Sequence, residues 1–177
     1  MYLPRNTGLE RFNYLAIREF TNRPVLLVQQ RGELIPFTVE EKGGYGWTGN
    51  DLYQDYLLNN PKSSLRLVRR FPWPEQCQPR LCLLGPEEDN PEFYYRDGFM
   101  LVAPTRYKNL VSTYLAQQSW TPLLYFLEGQ VEREIRKNNA DIAIDIVYSG
   151  RTIREEKLAI YATLFDAAGF VLITKDI

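Results

Sequence analysis

Residues 141–158 read DIAIDIVYSGRTIREEKL. The run from Ile142 to Val147 is apolar except for Asp145. It gives way to Ser149-Gly150-Arg151-Thr152, then to a charged stretch ending at Lys157. A short apolar run bounded by turn residues reads as a buried strand. The turn has two readings. Ser, Gly and Thr end strands at little cost. The same residues also cradle phosphate: glycine lets backbone amides approach an anion, and hydroxyls add donors. Free amides at a helix start near Thr152 would strengthen that cradle. Asp145 is the odd residue, because a carboxylate in an apolar run is expensive without a partner. A magnesium ion, a ribose hydroxyl or an arginine would each serve.

The segments on either side alternate strand and helix. FMLVAPT (99–105) and PLLYFLEG (122–129) read as strands, with RYKNLVSTYLAQQ (106–118) as a helix between them. QVEREIRKNN (130–139) is a short helix. KLAIYATLF (157–165) tilts to strand by its β-branched and aromatic content, and GFVLITKDI (169–177) closes the chain as a strand. Earlier, Leu9, Phe12, Leu15, Ala16 and Phe20 fall at helical spacing over 7–20, with Thr7 and Glu10 resembling a capping box. RPVLLVQQ (23–30) reads as a buried strand. A short helix, a glycine-rich turn, a strand at 45–48 and a helix from Asn50 follow; SSLRLVRRFP and PRLCLLGP are further strands. The alternation predicts an α/β fold with largely parallel pairing. The Pro-, Gly- and acid-rich stretch 85–98 is the expected linker. It divides a first lobe (1–88) from a second (89–165), with a terminal strand (166–177) that can return to the first.

The 177 residues suit one domain or two small lobes. Twenty-one basic residues against 22 acidic ones argue against general nucleic-acid binding. No segment is long and apolar enough for a membrane helix, and the N-terminus lacks a secretory core, so a cytoplasmic soluble protein is expected. Cys77 and Cys82 are too few for a zinc site. The absence of histidine excludes Ser-His-Asp and Cys-His nucleophile systems. Chemistry driven by positioning and charge is favoured over imidazole acid-base work.

The order of segments from 101 to 158 resembles the second domain of the ATP phosphoribosyltransferases. The counterparts are Thr105-Arg106-Tyr107, Gly129-Gln130-Val131-Glu132, Ala140-Asp141, and Asp145-Ile146-Val147-Tyr148-Ser149-Gly150-Arg151-Thr152-Ile153. RGELIPFTVEEKGGYGWTGNDL (31–52) resembles the family's first-lobe segment, with Leu34 in place of an acidic residue and Asn50 in place of a lysine. Lys108 replaces a proline, and LPRNTGL is a shortened opening turn.

The resemblance implies two periplasmic-binding-protein-like lobes of mixed, largely parallel sheet, with a cleft between them. It implies transfer of phosphoribose from phosphoribosyl pyrophosphate to ATP, with Mg²⁺ on the pyrophosphate. Ser149, Gly150, Arg151 and Thr152 would hold phosphate, Asp145 and Glu132 would be catalytic, and Arg31, Thr48, Gly49, Asp51 and Thr105 would face the acceptor. Another nitrogenous acceptor, or a non-catalytic nucleotide-binding role, stays open. A homodimer is expected, as is a regulatory partner resembling histidyl-tRNA synthetase, the arrangement of short-type members lacking a regulatory domain.

Overall fold

The computed structural model describes residues 1–20, 24–96, 98–118, 120–129, 131–148 and 150–175, without the side chains of Thr7 and Thr152. In chain order its strands and helices are β1 (Tyr2–Pro4), α1 (Thr7–Glu10), α2 (Asn13–Arg18), β2 (Val28–Gln30), α3 (Ile35–Lys42), β3 (Tyr45–Gly49), α4 (Asn50–Asn59), β4 (Leu65–Phe71), β5 (Arg80–Pro86), β6 (Met100–Pro104), α5 (Lys108–Gln117), β7 (Leu123–Leu127), α6 (Glu132–Arg136), β8 (Ile142–Val147), α7 (Arg151–Glu155), β9 (Leu158–Asp166) and β10 (Phe170–Lys175).

The chain forms two units: Met1–Pro74 with Ala168–Ile177, and Glu75–Ala167. The passage from the first to the second falls ahead of the expected linker at 85–98, because Arg80–Pro86 is a full strand of the second sheet. The final strand lies in the first sheet, between β3 and β4.

The first sheet runs β2-β1-β3-β10-β4. β1 pairs in parallel with β2 and β3, whereas β10 is antiparallel to β3 and β4. The second runs β7-β6-β8-β5-β9, parallel on the β6 side and antiparallel on the β5 side. Each sheet is therefore mixed and evenly divided, rather than largely parallel. Each returning strand (β10, and β5 with β9) enters antiparallel to its neighbours.

The core of the first unit is aromatic. Phe170 stacks between Trp47 and Trp73, with ring centroids 4.8 and 5.2 Å apart, and Phe12 meets the edge of Phe170 at 5.4 Å. That placement of Phe12 accounts for a difference from the sequence reading. The expected single helix over 7–20 is two short helices, broken at Arg11-Phe12. Asn13, buried, donates to the Pro4 carbonyl at 3.0 Å and fixes the break. The N-cap of α1 is Asn6, whose carbonyl accepts from Leu9 and Glu10. Glu10 takes a hydrogen bond from Gln29; the Thr7 side chain of the expected capping box lies outside the described residues. The stretch read as a buried strand over 23–30 is an edge strand only from Val28. Leu26 and Leu27, ahead of it, and Val28 at its start are exposed at the edge of the sheet.

α3 lies directly on β3 at Gly46. A Cβ at Gly46 would sit 2.7 Å from methyl carbons of both Ile35 and Val39. Gly46→Ala is expected to destabilise by about 1–3 kcal/mol, as overpacking does in a filled core. Urea unfolding of the variant checks this, and an unchanged midpoint would show that α3 is free to move away.

The second unit packs α6 against β8. Cys82, Leu84, Val102, Val131, Ile135, Ala140, Ala143, Val147, Ile153 and Leu158 form its buried cluster. Side chains alternate along a strand, so Asp145 shares the β8 face of Ala143 and Val147 and looks into this cluster. The core, therefore, is what isolates the carboxyl from water.

Candidate functional site

Three charged side chains meet at the carboxyl ends of β6 and β8. Asp145 is the fourth residue of β8 and is buried, as is Glu132 at the first position of α6. Arg106 stands in the single 3-10 turn Thr105–Tyr107 that follows β6. Its Nη2 lies 3.7 Å from Asp145 Oδ1. Asp145 Oδ1 also accepts from its neighbour Ile146 N–H at 2.7 Å. The Glu132 carboxyl is a neighbour of Asp145. Glu132 Oε2 is buried with no hydrogen-bond partner among the described residues.

The electrostatics follow from this placement. Burial, then the neighbouring Glu132 carboxyl, push the Asp145 pKa up to about 8, against the opposing pull of Ile146 N–H and Arg106. A buried carboxyl beside a second carboxyl ionises at a cost, so Asp145 is held toward its protonated form. Arg106 stays cationic: burial opposes its charge, but Tyr107, Asp145 and Tyr148 outweigh burial and raise the guanidinium pKa. The guanidinium also lies over the Tyr107 ring, 5.1 Å from its centroid.

A raised carboxyl pKa has a definite sign in stability. The folded chain binds the proton that the unfolded chain releases near pH 4, so this group's contribution is full below that pH. It is lost as pH rises through about 8. Asp145→Asn should therefore leave the wild-type melting temperature nearly unchanged at pH 5 and exceed it at pH 9. The difference is about 1–3 kcal/mol, the usual cost of an uncompensated buried polar group. Melting curves at the two pH values measure it, and a variant less stable at both would contradict the raised pKa of Asp145.

The remaining expected site residues are spread over both units. Gly150, immediately before α7, has φ +68, and its carbonyl accepts from Arg154 N–H at 3.1 Å. This left-handed conformation is what glycine permits. Arg151 is exposed and forms an ion pair with Glu155 at 2.7 Å, one helical turn away. Ser149 and the Thr152 side chain lie outside the described residues. Thr105 is exposed at the start of the turn that carries Arg106.

In the first unit, Thr48 is fully buried and donates to the Gly32 carbonyl at 2.9 Å. Gly32 N–H in turn donates to Asn6 Oδ1 at 2.6 Å. Gly49 caps α4, and a Cβ there would meet the Asp51 carboxylate. Asp51 is buried in the first turn of α4. Arg31 pairs with Glu33 at 3.5 Å. Asn50 accepts from Arg70 at 2.7 Å, and Arg69 forks onto Glu19 with both contacts at 2.9 Å.

Two placements refine the sequence reading. Asp141, of the Ala140-Asp141 segment, immediately precedes β8 and accepts from Met100 N–H at 2.7 Å. Arg106 was not among the expected site residues. The signal for it was the need of Asp145 for a cationic partner, which sequence alone left among three choices.

With this geometry in view, family relationships become decisive. The family model described as HisG: ATP phosphoribosyltransferase matches residues 31–176. This chain belongs to the ATP phosphoribosyltransferase family. No curated protein sequence matches it. Among solved structures, a chain of the ATP phosphoribosyl transferase (HisG:HisZ) complex from Thermotoga maritima aligns with TM-score 0.74 and 19% identity, covering 98% of this chain and 86% of that one. The periplasmic aliphatic sulphonate binding protein SsuA from Escherichia coli aligns with TM-score 0.62 and 13% identity, covering 93% of this chain and 59% of that one. The fold is thus the two-lobed α/β type shared by ATP phosphoribosyltransferases and periplasmic binding proteins. The family match includes Arg106, Glu132, Asp145 and the turn at Gly150. No helix among the described residues is long and apolar enough to cross a membrane.

Proposed function

We propose that the chain transfers phosphoribose from phosphoribosyl pyrophosphate to a ring nitrogen of ATP. The observation that carries this reading is the buried Glu132–Asp145 pair with Arg106, placed at the carboxyl ends of β6 and β8 beside the Gly150 turn, within a family match spanning 31–176. Ligands of α/β sheets bind at strand carboxyl ends. In the reaction the bond from the anomeric carbon to the pyrophosphate oxygen breaks and its electron pair leaves with pyrophosphate. A carbon–nitrogen bond forms on the opposite face.

Each residue has a role suited to its chemistry. Backbone amides around Gly150, with the hydroxyls of Ser149 and Thr152, hold the 5-phosphate. Arg151 adds positive charge there once it leaves Glu155. Asp145 and Glu132 accept from ribose hydroxyls and offset positive charge developing at the anomeric carbon. Arg106, 3.7 Å from Asp145, favours the ionised form of that carboxyl against burial. Positioning and fixed charges of this kind supply a large share of a barrier reduction without a histidine.

Magnesium is expected from the family, but the described residues do not themselves build its site. No group of three or more acidic, cysteine or histidine side chains that could hold a metal occurs among them. Asp145 is flanked by the Arg106 guanidinium. Magnesium commonly keeps several waters and rides on substrate phosphates, so it would arrive with the pyrophosphate.

Arg31, Thr48, Gly49, Asp51 and Thr105 are proposed on the acceptor side. Two observations favour an acceptor other than ATP as the second reading. The Thr48 hydroxyl is spent on Gly32, and Asn50, where the family has a lysine, is held by Arg70. By its likeness to a chain of a HisG:HisZ complex, the protein is proposed to work as a dimer with a regulatory subunit of the HisZ type. Pyrophosphate release from phosphoribosyl pyrophosphate, measured with ATP and with other purine and pyridine acceptors, tests the assignment. Release that depends on ATP supports it, whereas release with another acceptor moves the chain to the second reading. Absence of release with every acceptor, with and without a HisZ-type subunit, would leave a binding protein.

A further inference from the structure

The helix α6 is buried at Glu132 and Ile135, but Arg133, Arg136 and Lys137 stand exposed at its other face and end. Both arginines turn to one carboxylate, Glu156, which follows directly on α7. Arg136 Nη1 donates to Glu156 Oε2 at 3.0 Å, and Arg133 Nε stands 3.9 Å from Oε1. The Glu156 side chain is 9% exposed, against 53% for Arg133 and 71% for Arg136. A cavity of about 400 Å³ is lined by these three residues and Lys137.

Cations in the last turn of a helix offset its dipole, but the dipole does not make two of them converge on one acceptor. Lys137 is balanced by Glu134 at 2.7 Å, so two guanidinium charges face the single Glu156 carboxylate. A guanidinium carries several N–H donors in a planar fork. Among the described residues Arg136 spends a donor on Glu156, while Arg133 is too far from it for a hydrogen bond. Such forks match phosphate oxygens in pairs. A phosphate monoester carries a charge of about −1.5 to −2 near pH 7, which suits two guanidinium groups better than one carboxylate does. The cavity falls within the roughly 300–1,000 Å³ of small-molecule sites, so it has room for an organic group beyond the phosphate.

We propose that this cavity is an effector site for a small organic phosphate, whose phosphate group takes the Arg133 and Arg136 guanidinium groups in place of the Glu156 carboxylate. The placement gives that exchange a consequence. Glu156 follows α7, which starts beside Gly150, and the two arginines share α6 with Glu132. Their contact with Glu156 therefore ties together the two short helices that flank the candidate site. A ligand that breaks the tie acts on that site from outside it. Binding here is separate from the phosphoribosyl reading and does not depend on it.

Nitrogen-15 NMR of the full chain reads the Nε–H groups of Arg133 and Arg136, assigned by their loss in Arg133→Lys and Arg136→Lys. Glycerol 2-phosphate is the probe, with sodium chloride at matched ionic strength as the control. Both signals should move together along one saturating curve with the phosphate and stay in place with the salt. Glu156→Gln removes the competing carboxylate and should tighten the midpoint roughly two- to fivefold, the range of one exposed ion pair. In Arg136→Lys, read at Arg133, the midpoint should weaken several-fold, because an ammonium lacks the fork. Signals that do not move, or that move equally with salt, would overturn the proposal. So would a midpoint that Glu156→Gln weakens or leaves unchanged. A midpoint unchanged in Arg136→Lys would place the probe elsewhere, the Gly150 turn included, and overturn it as well; should Glu156→Gln not fold, this variant decides. Saturation here in a chain that phosphoribosyl pyrophosphate fails to protect would remove the phosphoribosyl reading and leave the effector site standing.

Discussion

An Asp145→Ala variant is expected to lose phosphoribosyl transfer by about 100- to 1,000-fold, the range seen when one preorganised electrostatic partner of a transition state is removed. The carboxyl is the only acidic side chain in the apolar β8 run, and it is held between the Glu132 carboxyl and the Arg106 guanidinium. Its removal takes away the acceptor for the ligand and leaves Arg106 without that carboxyl. Because the carboxyl is a cost to the empty fold above pH 5 or so, the variant should fold with a wild-type circular dichroism spectrum. Loss of turnover with the fold retained would mark a functional group. A loss smaller than tenfold would mean that Asp145 is a structural residue only. Arg106→Met in the same assay should show a comparable loss, with the added penalty of a carboxylate deprived of its cation.

Phe170→Ala is expected to have the largest effect on stability, about 3–5 kcal/mol. The ring is the middle layer of a stack, between Trp47 and Trp73, with Phe12 at its edge. It is also the first residue of β10, the strand that pairs with β3 and β4 and so closes the first sheet. Removing it opens a cavity among three aromatic neighbours that cannot collapse without moving strands. For a chain of this size the loss corresponds to a fall of roughly 10 °C in melting temperature. A fall of less than 3 °C would show that the stack rearranges around the gap.

Most strands were legible because their cause is local. Ile142–Val147 carries its own apolar run and its own turn, and the same holds for Leu158–Asp166 and Phe170–Lys175. The break in the first helix was not legible. It exists because Phe12 enters the aromatic stack and Asn13 reaches the Pro4 carbonyl, contacts made by residues far along the chain. The passage between units was misplaced for a related reason: Gly85 and Pro86 mark the end of β5 rather than a linker.

At the candidate site, Asp145 announced itself as a charge in an apolar run, but its partners did not. Glu132 and Asp141 are both acidic and both near an apolar segment. Register separates them, placing Glu132 against Asp145 and Asp141 at the far end of the strand on Met100. Arg106 was quoted within a family segment but had no visible partner until β6 and β8 were seen side by side. Thr48 gave the opposite lesson: a hydroxyl beside glycine suggested a ligand contact, and its proton goes to the Gly32 carbonyl.

Thermal protection by the donor tests the central claim most directly. Magnesium phosphoribosyl pyrophosphate at about 100 times its dissociation constant should stabilise the chain by roughly 2.7 kcal/mol, or about 5–10 °C. The protection should disappear in Gly150→Val, where a branched side chain is forced onto a backbone of φ +68, and in Asp145→Ala. Protection that is absent in the wild type up to millimolar ligand, or equal in all three proteins, would contradict a phosphoribosyl site at the end of β8.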